Sequence, residues 1–290
     1  IPSKTAFPNL ETELGKAERE RLKSFKYRNA IGSLQHAARW TRPDIKFAVG
    51  YLARYQENFG EKHVKAVKRV FRYLKGTIDK GITFGGTNTP LVMYVDADFA
   101  MDPDQRKSTT GWVSLFFGGP GTSKSKLQPI LADSTTVAEL IALHDAGREA
   151  KWLSWLISEF GCTPNYSLNV KRNNLLSHPL LEDEIVHEED LKKDKDPVFI
   201  YEDNNGVIAI SKHQMVSQRT KHVEVKYFYV QELVAEQVVV VERCDTNKNL
   251  ADIMTKALPM NKHIEMANYL FKGEDPVTGR SLVTRKIIEM

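Results

Sequence analysis

Leu91-Val92-Met93-Tyr94-Val95-Asp96 is an unbroken apolar run that ends on an acid. Val198-Phe199-Ile200-Tyr201-Glu202-Asp203 repeats the pattern further along the chain. Short continuous runs of this kind read as strands buried on both faces. Working outward from the first run, 91–97, 110–117 and about 123–131 read as three antiparallel strands. Gly118-Gly119-Pro120-Gly121 supplies the second hairpin turn. Ser134 or Thr135 caps a helix that runs to about Phe160. The strand at 198–202 is followed by a short helix from about Asn205 to Ser211. His222 to about Ala235 reads as helical, 237–243 as an apolar strand, and 249–256 as the start of a last helix. The order β-β-β-α-β-α-β-α predicts an α/β fold: a mixed five-stranded sheet with helices on both faces, preceded by a small helical segment.

Each strand run ends on a carboxylate, Asp96 and Asp203. Glu139 opens the second turn of the long helix, and Asp252 sits in Asn249-Leu250-Ala251-Asp252-Ile253. Four acids at the edge of one small core cannot all ionise without a counter-charge, which hard divalent cations with oxygen ligands supply. Without Cys or His among them, the donor set suits Mg²⁺ or Mn²⁺, two ions, and argues against Zn²⁺. Two such ions about 3.5–4 Å apart can position water, stabilise a pentacovalent phosphorus and neutralise the leaving oxygen. Spacing alone does not establish this, because 37 acids guarantee some at strand and helix ends as solvated caps. Asp98, Asp102 and Asp104 read as loop residues. Glu202 should point to the opposite side of its strand from Asp203.

Upstream of the sheet the periodicity is helical. Tyr27, Ile31, Leu34 and Ala38 recur at helix spacing, and Thr41-Arg42-Pro43-Asp44 is a stop and restart. A second helix carries Ile45, Val49, Leu52 and Tyr55. A third runs from Glu61 to Leu74, with Val64, Val67, Phe71 and Leu74 on its apolar face and Gly76 at its end. Lys62, Lys65, Lys68, Arg69, Arg72 and Lys75 fall on another face. That face reads equally as a solvated charged surface or as a ridge that follows phosphates without reading sequence. Residues 1–26 are expected to be a linker or arm, 27–86 the helical segment, and 88–260 the sheet domain. Within the last, 163–196 is a charged insertion, and 261–290 is a tail. The opening Ile1-Pro2-Ser3-Lys4 reads as the start of a piece cut from a longer polypeptide.

The 290 residues suffice for about two domains, and 41% hydrophobic with 27% charged content is that of an ordinary globular protein. No apolar run approaches the roughly 18 residues that a membrane span needs. Two cysteines, Cys162 and Cys244, make no disulfide framework and fit a reducing compartment. A net charge of +4 is too mild to name a partner by itself.

Local sequences go further. Tyr94-Val95-Asp96-Ala97-Asp98-Phe99-Ala100, Arg106-Lys107-Ser108-Thr109-Thr110-Gly111-Trp112 and Ser134 to Leu143 resemble the RNase H domain of copia-type LTR retrotransposon Pol polyproteins. So do Tyr201-Glu202-Asp203-Asn204-Asn205, Thr220 to Tyr227 and Leu250 to Lys256. Upstream, Tyr27 to Leu34, Thr41-Arg42-Pro43-Asp44-Ile45 and Phe71 to Thr77 resemble the connection or thumb segment that joins reverse transcriptase to RNase H. The resemblance implies an RNase H-like fold and endonucleolytic cutting of RNA in an RNA–DNA hybrid. It implies metal ligands at Asp96, Glu139, Asp203 and Asp252, and a polymerase domain of the same polyprotein as partner. The setting it implies is a cytoplasmic virus-like particle, or the nucleus. Lys221 and His222 could meet the hybrid backbone, although a packed helix-start histidine is an equal reading. RNA would be told from DNA by its 2′-hydroxyls.

The chain departs from the family pattern in places. Val137 stands where Glu is frequent and Leu140 where Tyr is. Phe99 and Met101 replace a usual Trp and Gly, and Cys244 to Ala251 holds no histidine before the last acid. These suggest a diverged copy. A catalytically inactive nucleic-acid-binding remnant is therefore the alternative. A polymerase signature at Tyr94 to Asp98 fails because its acids are not adjacent. An integrase-type site fails because Val238-Val239-Val240 stands where a final Glu would be needed.

Overall fold

A computed structural model describes residues 2–85, 91–160, 197–212, 224–272 and 276–277. One five-stranded sheet organises them, in the order β3-β2-β1-β4-β5. The strands are β1 (Val92–Asp98), β2 (Thr109–Phe116), β3 (Gly119–Leu127), β4 (Val198–Glu202) and β5 (Val239–Arg243). β1 to β3 form an antiparallel meander, and β4 and β5 join β1 in parallel. This mixed order is that of the RNase H-like fold. Alternation along β1 divides the core. Met93 and Val95 face one layer with Leu143 and Leu153. Val92 and Tyr94 face the other with Ile253 and Leu270.

The first layer is α5 (Thr135–Glu159), α6 (Asn205–Lys212) and α7 (Glu224–Ala235). Ser134 caps α5 by accepting the Val137 N–H at 3.3 Å. The second layer is α8 (Asp252–Thr255) and α9 (Met260–Lys272). The preceding segment is α1 (Glu13–Leu22), α2 (Tyr27–Trp40), α3 (Lys46–Ala53) and α4 (Glu61–Lys75), sharing a core of Tyr27, Ile31, Leu34, Leu52 and Val67.

That segment is fastened to the sheet domain by polar joints. Lys46 donates to the Ser123 carbonyl and hydroxyl at 2.7 Å each, and Arg54 pairs with Asp102 at 2.7 Å. The Tyr55 hydroxyl donates to Asp104 at 2.7 Å. Asp102 and Asp104, expected as plain loop acids, thus anchor the β1–β2 loop to α3.

Four expectations are corrected. Residues 1–26 include α1, because Thr12 caps it through the Gly15 N–H and Leu22 buries in the helical core. On α4 the buried positions are His63, Val64, Val67 and Val70, while Phe71 turns outward. β3 starts at Gly119, because the tight turn is Phe117-Gly118, both at positive φ (50° and 82°). The expected tail contains α9, whose Met266, Ala267, Leu270 and Phe271 close the second layer. The insertion at 163–196 lies outside the described residues.

Candidate active site

The parallel pairing of β1 with β4 places Asp96 and Asp203 at one edge of the sheet, and α5 crosses that edge with its first turns. Asp96 and Glu139 are buried and Asp203 half-buried. One carboxylate oxygen from each of the three lies within 4.8 Å of the others. Asp252, at the start of α8, stands outside that group and is tied to it by an ammonium. Lys256 donates to Asp96 Oδ1 at 3.1 Å and to Asp252 Oδ1 at 2.7 Å. The Thr255 hydroxyl donates to Asp96 Oδ2. The structure therefore gathers three of the four acids directly and the fourth through a cation.

The placement of α8 rests on two contacts. Asn249, fully buried, donates from Nδ2 to the Val95 carbonyl at 2.8 Å and accepts the Ala251 N–H at 3.1 Å. Gly111, paired with Asp96 across the β1–β2 ladder, lets α8 approach. A Cβ there would sit 2.4 Å from Thr255 Cγ2 and 2.8 Å from Met254 Cβ.

Electrostatics set this edge apart. Burial pushes the Asp96 carboxyl up to about 6, with Lys256 opposing and Asp252 adding. Burial raises Asp98 to about 6 as well. Glu139 is held well above the carboxylate range by burial and then by Glu202, Asp96 and Asp203. Glu139 Oε2 is buried without a hydrogen-bond partner among the described residues. Lys256 is raised: burial opposes its charge, but Asp96 and Asp252 outweigh that. Buried acids sharing one cation and leaving an oxygen unpartnered form a donor set that fits divalent ions.

Glu202 is the residue that sequence reasoning set aside. Strand alternation does send it, with Val198 and Ile200, toward the α5 layer. That layer is where Glu139 comes from, so the opposite side of the strand is still part of the site. Glu202 is fully buried, and its Oε1 accepts the backbone N–H groups of Asp203 (3.1 Å) and Asn204 (3.0 Å). Its Oε2 has no partner among the described residues, and burial raises its pKa, with Asp203 and Asp96 adding. The other signal available was Lys256, one turn after Asp252 at the helix spacing that lets two side chains meet.

The departures from the family pattern fall beside these oxygens. Val137 packs against Ile141 and Ala132, Leu140 is core, Phe99 is half-buried, and Met101 is exposed. Lys62, Lys65, Lys68, Arg69 and Arg72 all lie exposed along α4. Lys221 and His222 lie outside the described residues, as does Cys162. Cys244 is a buried thiol whose pKa burial raises. Among the described residues, no helix is long and apolar enough to cross a membrane.

No family model matches the chain. It is 38% identical, over 81% of its length, to the retrovirus-related Pol polyprotein from transposon TNT 1-94 of Nicotiana tabacum. It is 34% identical, over 80% of its length, to that from transposon RE2 of Arabidopsis thaliana. The chain spans 15% and 14% of those relatives' own lengths. Among solved structures, RNase H1 of the halophilic archaeon Halobacterium salinarum aligns at a TM-score of 0.35 and 14% identity. That alignment covers 61% of this chain and 98% of the other.

Proposed function

Because the chain belongs to the family of retrovirus-related Pol polyproteins of copia-type LTR transposons, we propose that its acidic edge is a ribonuclease H-type centre. It would hydrolyse the RNA strand of RNA–DNA hybrids, beside the polymerase domain of the same polyprotein, in the cytoplasmic particle or the nucleus. The observation that carries this reading is the convergence of Asp96, Glu139 and Asp203 oxygens within 4.8 Å.

Asp96, Glu139 and Asp203 would hold one divalent ion, and Asp96 with Asp252 a second. Two such ions supply an activated water and charge neutralisation at the scissile phosphate. The chain's own part is positioning. Glu202 fixes the backbone after β4 that aims Asp203. Asn249 and Gly111 fix the approach of Asp252. Lys256 bridges Asp96 and Asp252 and favours the charged form of Asp96. The exposed cations Lys62, Lys65, Lys68, Arg69 and Arg72 give α4 a face for hybrid phosphates, and Lys221 and His222, outside the described residues, are proposed to contact the hybrid backbone as well.

The test is cleavage of an end-labelled RNA–DNA hybrid by the full chain with Mg²⁺ or with chelator, alongside Asp96→Asn. The expected result is RNA-strand cleavage that needs Mg²⁺ and is lost in the variant. Cleavage indifferent to Asp96→Asn would overturn the site. Tight hybrid binding without cleavage under any divalent ion would select the inactive remnant instead.

A further inference from the structure

A second feature lies on the far side of Lys256. A cavity of about 940 Å³ opens between α3 and α4 on one wall and α8 and α9 on the other. Its apolar lining includes Ala48, Ala66 and Leu258 with the more exposed Ala257, Met260 and Ile264. Its cationic lining is Lys65, Arg69, Arg72 and Lys80, with Lys256, which reaches Asp96. Asp44 is the one acid in the lining, and both of its carboxylate oxygens are taken by Arg42 and Tyr73. Arg69 and Arg72 have no ion-pair partner among the described residues.

A lining that combines apolar and cationic side chains is complementary to a ligand that is apolar in one part and anionic in another. A paired duplex is a poor match, because it stacks its bases inside and offers only phosphates to a concave surface. An unpaired strand matches both kinds of side chain, since its bases can lie on the apolar ones while its phosphates meet the arginines. An acidic peptide would satisfy the cations and leave most of the apolar lining uncovered. The volume is that of a well-formed ligand cleft.

We propose that this groove holds a single-stranded segment of nucleic acid, entering or leaving the acidic centre past Lys256. The inference rests on the nuclease reading for its biological sense, but its test needs no cleavage.

The experiment measures anisotropy of a short fluorescein-labelled single-stranded oligodeoxynucleotide with the full chain in chelator. Three changes are compared with the parent: Ile264→Glu, Arg69→Ala with Arg72→Ala, and Lys16→Ala with Lys23→Ala. Ile264 is an exposed groove residue (40%), so its substitution leaves the core intact, and unchanged thermal midpoints verify this. Lys16 and Lys23 are exposed at α1, carry no role in the proposed centre, and do not line the groove. The groove predicts about tenfold or greater weakening for the first two, and little for the third. It also predicts that excess poly-glutamate does not displace the oligonucleotide. Loss confined to the lysine pair, binding of hybrid duplex with no single-strand binding, or displacement by poly-glutamate would each overturn the proposal. Absence of hybrid cleavage with the predicted binding pattern would sink only the nuclease reading.

Discussion

Two regions bury carboxylates to the same depth and treat them in opposite ways. At the joint between the helical segment and α9, Asp44 has a fully covered side chain. Arg42 Nε and Nη2 grip its two oxygens at 3.0 and 2.7 Å, and the Tyr73 hydroxyl adds a bond at 2.6 Å. Arg42 spends its remaining donors on the Thr77 carbonyl and hydroxyl, and its guanidinium lies over Phe271. At the sheet edge, Asp96, Glu139 and Glu202 are as deeply buried, yet among the described residues one ammonium serves the cluster and two oxygens have no partner. A satisfied buried pair holds a fold together. An unsatisfied acidic cluster weakens the fold and is held by surrounding structure for a ligand.

That contrast predicts mutations of opposite sign. The largest effect is at Glu139→Gln, which removes a carboxyl whose ionisation is opposed by burial and then by Glu202, Asp96 and Asp203. Hybrid cleavage should fall to background, while the metal-free thermal midpoint should rise by several degrees. If the midpoint fell instead, the cluster would be holding the fold as Asp44 does. The next largest is Asp44→Ala, which leaves Arg42 buried and unpaired and should cost about 3–5 kcal/mol in chemical denaturation. A cost near zero would mean that Arg42 finds water, and the two regions would no longer differ in kind.

The third effect depends on pH. Glu139 is raised well above its ordinary value of 4.5, so the folded chain retains a proton that the unfolded chain releases. Its destabilising effect is absent below 4.5, grows as pH rises from 4.5 toward the folded value, and levels off above it. Asp96, raised from 3.8 to about 6, acts in the same direction. The thermal midpoint difference between Glu139→Gln and the parent should therefore widen as pH rises, and Mg²⁺ added to the parent should close it. A difference independent of pH would show that Glu139 is not protonated in the metal-free fold.

Much of the architecture was legible because short apolar runs and capped helices are local signals. β4 at 198–202 and α5 from its Ser134 cap needed no tertiary information. The misreadings share a cause, which is that tertiary contact overrides local pattern. α1 is polar along nearly its whole length and is held by its Thr12 cap, by Leu22, and by polar contacts of Glu18 and Arg19 with the Glu61 N–H and Asn58. The charge-rich start of the chain therefore gave no periodic signal. Phe71 fits the helical stripe by spacing, but the core it would join is filled from Val70 and Val67. The motif carried the candidate acids, but it could not say that Lys256 would stand between two of them. Nor could alternation reveal that a side chain turned away from Asp203 would meet Glu139.

The finest test falls on Glu202, which belongs to both sides of the comparison. Its Oε1 is satisfied, as at Asp44, by two backbone N–H groups, and its Oε2 is unsatisfied, as at Glu139. Glu202→Gln retains an accepting oxygen for both amides and removes a charge from the cluster. Cleavage should persist, with a small gain in metal-free midpoint. Glu202→Ala leaves both amides buried without a partner, which costs about 1–3 kcal/mol, and frees the backbone that aims Asp203. Its cleavage should drop through a weakened Mg²⁺ half-saturation that higher Mg²⁺ partly rescues. Equal loss in both variants would show that the charge of Glu202 matters and not its grip on the loop. The cluster would then count a fifth working carboxylate.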